Sequence, residues 1–153
     1  MSVRLWDGTG PVLADTSAWI RARRDPGARR LLRKGIERGD TYWCWPVRYE
    51  LMVDARGPEG IAAVERTLEG LREVAIDRNV QRTAVAIMRE LAAAGSHGAH
   101  RYPLPDLAVA AAAQDAAIGI LHFDQHLERL GDHLGVDAHW IADPSSSTGL
   151  GPD

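Results

Sequence analysis

Cysteine is almost missing from this sequence: among 153 residues, Cys44 stands alone. An intrachain disulfide is therefore excluded, and so is a thiolate cage for a metal. Lysine is equally scarce, with Lys34 the single example, so the basic charge is nearly all arginine. There is no glycine-rich phosphate loop. No long hydrophobic run exists either. The most apolar stretch, "LAVAAAAQDAAIGIL" (107–121), is broken by Gln114 and Asp115 and is too short to span a bilayer. The opening "MSVRLWDGTG" lacks the apolar core of a signal peptide and carries Asp7. These absences together lead to the expectation of a soluble, cytoplasmic protein without membrane association.

What is present is ordinary for a globular chain. Hydrophobic residues make up 45% and charged residues 25%, and the length suits one domain with a proper core. A net charge of −3 neither advertises nor excludes a nucleic-acid ligand, because the distribution of charge matters more than its sum. The ordered part is expected to open at Pro11. From there, short apolar runs alternate with longer segments of helical period. Strands are expected at 12–15, 41–45, 72–76, 118–123 and 136–142. Helices are expected at 16–24, 26–39, 46–54, 58–70, 78–95, 106–117 and 124–131, with 96–105 as loop. This alternation predicts an α/β fold: one domain over 1–142, with a central parallel sheet of about five strands flanked by helices. The Ser/Gly/Pro-rich stretch 143–153 reads as a disordered tail.

Acidic residues recur where such a sheet binds ligands, beyond the carboxyl ends of its strands. In "PVLADTSAWI", Asp15 ends the first strand and is followed by Thr16 and Ser17. Asp124 ends the fourth strand in "HFDQHLERL". Glu50 lies one turn into the helix after the second strand. Asp106, in "PLPDLAVA", opens the helix that leads into the fourth strand. Each has a plain structural reading. Asp15, Asp106 and Asp124 are natural helix caps, and Glu50 suits a solvated helix face. Four acids at one sheet edge, however, would repel one another unless a cation joined them. Without a nearby cluster of Cys or His, the donor set favours a hard cation, Mg²⁺ or Mn²⁺. Such an ion polarises a phosphoryl oxygen and lowers the pKa of an attacking water, which suits phosphodiester hydrolysis. Thr16 and Ser17 then become donors that orient Asp15.

The pieces "VLADTSAWI", "PVRYELM", "LPDLAVAAAA" and "ILHFDQHLERL", in this order, resemble the PIN-domain nucleases, specifically the VapC-type toxins of bacterial toxin–antitoxin pairs. The resemblance runs from Pro11 to about Ile141. It implies a Mg²⁺-dependent endoribonuclease whose acidic cluster is Asp15, Glu50, Asp106 and Asp124. Asp15, Asp106 and Asp124 would be the metal ligands, Asp15 and Asp106 foremost. It further implies an antitoxin protein that holds the toxin inactive, and a homodimer. Many relatives carry another Asp two residues after the position of Asp124; here it is His126, which puts a second metal ion in question. His126 reads equally well as a residue that tunes substrate handling or as an exposed helix position.

The stretch "RARRDPGARRLLRK" holds seven basic residues against one acid, Asp25. It reads either as a solvated pair of helices or as an RNA-phosphate rim formed by Arg21, Arg23, Arg24, Arg29 and Arg30. Two other α/β enzymes fit less well. A phosphoryl-receiver domain needs a lysine late in the chain, and a haloacid-dehalogenase-type phosphatase needs Asp-x-Asp where this chain has Asp15-Thr16-Ser17. A catalytically inactive PIN fold, serving as an RNA-binding or interaction module, is the alternative to the nuclease.

Overall fold

Val12, Leu13 and Ala14 are buried on both faces, and they form the central strand of the sheet. The structure is a computed structural model and describes residues 3–95 and 97–146. The elements run β1 (Val12–Ala14), α1 (Thr16–Arg24), α2 (Pro26–Glu37), β2 (Thr41–Trp43), α3 (Trp45–Val53), α4 (Gly57–Glu69), β3 (Arg72–Glu73), α5 (Arg78–Ala94), α6 (Leu104–Ala116), β4 (Gly119–His122), α7 (Gln125–Leu134) and β5 (Ala138–Trp140). The strand order is β3-β2-β1-β4-β5, and every pairing is parallel. This is the α/β architecture expected from the alternation of strands and helices.

The sheet reverses its winding beside β1. Chain connections lead from β1 to β2 and β3 on one side, and later to β4 and β5 on the other. Val12 pairs with Thr41 of β2 and with Gly119 of β4, and Ala14 pairs with Leu121. The crevice outside the carboxyl ends of β1 and β4 is thus the topological switch point, where such sheets bind ligands. Helix α6 packs against α5 and across β1 and β4. Its residues Leu107 to Ala113 are all buried. Five of those seven are alanine, small enough to let the helix lie close to both neighbours.

Several boundaries differ from the sequence expectation, each for a local reason. The helix containing Asp106 starts at Leu104, with Pro103 as its cap position and Pro105 in the first turn. Proline is tolerated there because the first-turn N–H groups have no helical partner. Asp106 is therefore inside the helix and is not its cap. Strand β2 stops at Trp43, and Trp45 already belongs to α3. Strand β3 keeps only two exposed residues at the sheet edge. Helix α7 extends to Leu134 and ends on Gly135 at φ 66°, a left-handed stop that suits glycine.

Order also begins before Pro11. Leu5 bridges Trp140 in parallel, with Trp6 N–H donating to the Trp140 carbonyl at 2.9 Å and Trp140 N–H to the Arg4 carbonyl at 2.8 Å. This segment covers the free edge of β5. Of the expected tail, Pro144–Ser146 forms one turn of 3₁₀ helix, with Asp143 accepting from Ser145 N–H at 2.8 Å; residues 147–153 lie outside those described. No described helix is long and apolar enough to cross a membrane.

Trp6 is 3% exposed and rests on Gly35 of α2. A Cβ at Gly35 would stand 2.2 Å from Trp6 Cη2 and 2.8 Å from Thr41 Oγ1. Gly35→Ala is therefore expected to destabilise the protein by about 1–2 kcal/mol, overpacking outweighing the gain in helix propensity. Urea unfolding followed by tryptophan fluorescence measures it, and the loss should shrink in a Trp6→Leu background.

Candidate metal centre at the sheet edge

Asp15 follows β1 directly and caps α1. Its Oδ2 accepts from Ser17 N–H at 3.0 Å and from Ser17 Oγ–H at 2.6 Å. The carboxylate is thus a helix cap and a site group at once. Ser17 Oγ in turn accepts from the Phe123 N–H at 2.9 Å, which ties the turn after β1 to the turn after β4. Asp15 is 4% exposed. Burial raises its carboxyl pKa, the two Ser17 hydrogen bonds oppose the rise, and the charge of Asp124 adds to it.

Thr16 has a different task from the one expected. Its hydroxyl donates to Glu50 Oε1 at 2.8 Å and so orients Glu50, while its backbone N–H supports the Asp15 carboxylate. Glu50 projects from α3, and its pKa is raised by partial burial and by Asp15 and Asp54, against the Thr16 bond. Asp106 is raised to about 6, first by burial and then by Asp124 and Asp15, with His126 acting in the opposite sense. Asp124 caps α7 and accepts from His126 N–H at 2.7 Å. The four acids named from the sequence therefore feel one another across this single edge.

The tightest grouping includes a residue given only a minor part in the sequence reading. One ligand atom each from Asp106, Asp124 and His126 lie within 4.8 Å of one another. Asp15 and Glu50 are outside this trio. His126 is exposed, with its Nδ1 3.8 Å from Asp124 Oδ1. The donor set fits a divalent cation: two half-buried carboxylates that repel each other, with one exposed imidazole at the rim.

The arginines divide. The Arg21 guanidinium lies 4.4 Å above the Phe123 ring, and its Nε bonds Asp25 Oδ2 at 3.3 Å. The nine residues of α1 carry the chain roughly 13 Å from the acids. Arg23 and Arg24 lie with Arg21 in the last turn of α1, and Arg29 and Arg30 follow in the first turns of α2. Arg29 is occupied there, donating to the carbonyls of Ala22 at 3.1 Å and Arg23 at 2.8 Å. Cys44 is fully buried, its thiol pushed up to about 12 by burial, so it offers no thiolate.

Two further residues at this edge, His122 and Glu128, went unnoticed in the sequence. His122, in the apolar run "IGILHF", is fully buried and contacts both Asp124 N–H and Glu128. A polar ring inside an apolar strand needs buried partners, and that was the available signal.

Fold and edge together define a parallel α/β protein with an acidic cluster, a candidate cation site, at its topological switch point. The family model of the PIN domain matches residues 12–132. The chain is 33% identical over 129 residues to ribonuclease VapC18 of Mycobacterium tuberculosis, covering 83% of this chain and 92% of that protein. It is 31% identical over 140 residues to ribonuclease VapC21 of the same species, covering 88% and 96%. In fold it is similar to a chain of the DNA-bound VapBC complex from Salmonella typhimurium, with a TM-score of 0.70 and 16% identity over 88% of this chain and all of that one. It is also similar to a chain of promoter-bound VapBC2 from Rickettsia felis, with a TM-score of 0.66 and 12% identity over 84% and 97%. The chain belongs to the PIN-domain family and stands among its VapC-type members.

The raised pKa of Asp106 has a measurable cost in the metal-free protein. Its carboxyl binds protons more tightly folded, at about 6, than at the ordinary value of 3.8. The penalty is thus full above about pH 6 and fades as pH falls toward 4. Asp106→Asn is expected to stabilise the metal-free protein at pH 7.5 by about 1 kcal/mol after allowance for solvent screening, with the gain shrinking toward pH 4. Thermal unfolding in EDTA across this range checks it.

Proposed function

We propose that this protein is a divalent-cation-dependent endoribonuclease, the toxin of a toxin–antitoxin pair. The observation that carries the reading is the convergence of Asp15, Glu50, Asp106 and Asp124 on one sheet edge, with three of the four carboxyl groups pushed up in pKa. RNA as substrate is supported by the relatives named ribonuclease VapC18 and VapC21. A protein antitoxin is supported by fold neighbours solved as VapBC complexes. Homodimer formation and a cytoplasmic setting belong to the same proposal.

Asp15, Asp106 and Asp124 would hold the cation, Mg²⁺ or Mn²⁺, with His126 at its rim. That ion would supply Lewis acidity at a phosphoryl oxygen and a lowered pKa for the attacking water. Ser17 keeps the Asp15 carboxylate in place, and the N-terminus of α1 favours its negative charge. Thr16 occupies Oε1 of Glu50, which leaves Oε2 to take the proton of the attacking water. Arg21, which spreads over Phe123 beside the turn carrying Asp124, would be the arginine that meets an RNA phosphate. An inert binding module would keep the fold without the electrostatic cost carried by Asp15, Glu50 and Asp106.

RNA cleavage is expected with Mg²⁺ or Mn²⁺ and is expected to vanish in EDTA. Asp15→Asn should lower the rate by about 100-fold or more while leaving the far-ultraviolet circular dichroism unchanged. Undiminished cleavage in EDTA would overturn the proposal. For RNA binding by the same protein, Arg21→Ala should reduce the salt slope of log K by about 1, whereas Arg24→Glu at the far end of α1 should change it much less.

A further inference from the structure

His122 closes β4, a strand otherwise made of glycine, isoleucine and leucine, and no part of it is exposed. Its ring centroid is 4.7 Å from that of Trp140. The two ring nitrogens meet different partners. Nδ1 is 3.1 Å from the backbone nitrogen of Asp124. Nε2 is 2.9 Å from Oε2 of Glu128, which reaches back from α7. A backbone N–H only donates, so Nδ1 must present its lone pair. The neutral ring then carries its hydrogen on Nε2 and donates it to the Glu128 carboxylate. Both contacts are satisfied by one tautomer.

The same turn is anchored at neighbouring positions. Ser17 accepts the Phe123 N–H, His122 accepts the Asp124 N–H, and Asp124 itself accepts the His126 N–H. We propose that His122 is a positioning residue for Asp124: Glu128 holds the ring as the Nε2–H tautomer, and Nδ1 pins the Asp124 backbone so that its carboxylate meets Asp106 and His126. The inference rests on the metal-centre reading for its consequence, and on the hydrogen bonds alone for its geometry. His122 is not a catalytic residue, since Asp124 stands between it and any reacting atom.

Two substitutions separate the nitrogens. His122→Asn offers an amide oxygen near the place of Nδ1 and gives up Glu128. His122→Gln reaches toward Glu128 and gives up the acceptor for Asp124. In the metal-free protein, long-range proton–nitrogen correlation spectra should show the Nε2–H tautomer for His122. Hydrogen exchange of the Asp124 amide should quicken by about tenfold or more in His122→Gln and stay within about threefold of the parent in His122→Asn. Calorimetric titration with MnCl₂ alone should show affinity lowered about 10–100-fold in His122→Gln and largely kept in His122→Asn. Should His122→Gln fail to fold, Glu128→Leu carries the test at a partly exposed position, with mixed tautomers and faster Asp124 exchange expected. An Nδ1–H tautomer, or equal effects of the Asn and Gln substitutions, would overturn the assignment. A parent protein that binds no Mn²⁺ would instead sink the metal-centre reading, while the tautomer and exchange results would still decide the role of His122.

Discussion

The hydroxyl of Ser17 holds the two halves of the acidic edge in register. It donates to Asp15 at 2.6 Å and accepts from Phe123 at 2.9 Å, joining turns that are 106 residues apart in sequence. Only a group that donates and accepts at once does both. The backbone extends the same link, because Asp15 N–H donates to the Leu121 carbonyl at 2.9 Å, one residue beyond the paired length of β1. The central strand pair therefore continues into the site without a flexible joint. Asp15 and Asp124 inherit their separation from the β1–β4 ladder.

That rigidity has an electrostatic consequence. Carboxylates on loops would move apart; these cannot. Burial and mutual repulsion raise Asp15, Glu50 and Asp106, while Ser17, Thr16 and His126 pull the other way. The fold keeps an unfavourable charge arrangement because the sheet around it is stable enough to hold it. Sites of this kind give up folding stability for a field that favours a cation. The surrounding helices supply the stability: α6 is buried along seven consecutive residues, and α5 covers it.

Much of this was legible in the sequence, and the reasons are local. Apolar runs alternating with helical periods reveal the sheet order class, and Asp15 and Asp124 stand where a strand gives way to a helix cap. Glu50 follows from the same spacing. What stayed hidden depended on partners distant in the chain. Thr16 could equally have served Asp15 until its bond to Glu50, 34 residues on, was seen. Asp106 looked like a cap because Leu104 and Pro105 looked like loop, yet the two prolines around Leu104 fit a helix start. Trp6 gave no periodic signal, since three residues of edge pairing are too few to show one. His122 resembled the rest of an apolar strand with one odd member.

The arginine cluster shows how one helix accounts for two features that appear unrelated in the sequence. Helix α1 presents free N–H groups at Asp15 and free carbonyls at its other end. The first end favours a carboxylate, and the second favours a cation. Arg29 satisfies the second by donating to the carbonyls of Ala22 and Arg23, and it fastens α2 to α1 in doing so. Counting basic residues over this stretch therefore overstates the charge available to a ligand. Arg21 is held by Asp25 in the same way and differs in spreading over Phe123. The acid at the head of α1 and the arginines at its foot answer opposite ends of the same dipole, and Arg21 adds to this a contact with Phe123 that ties the helix to the turn after β4.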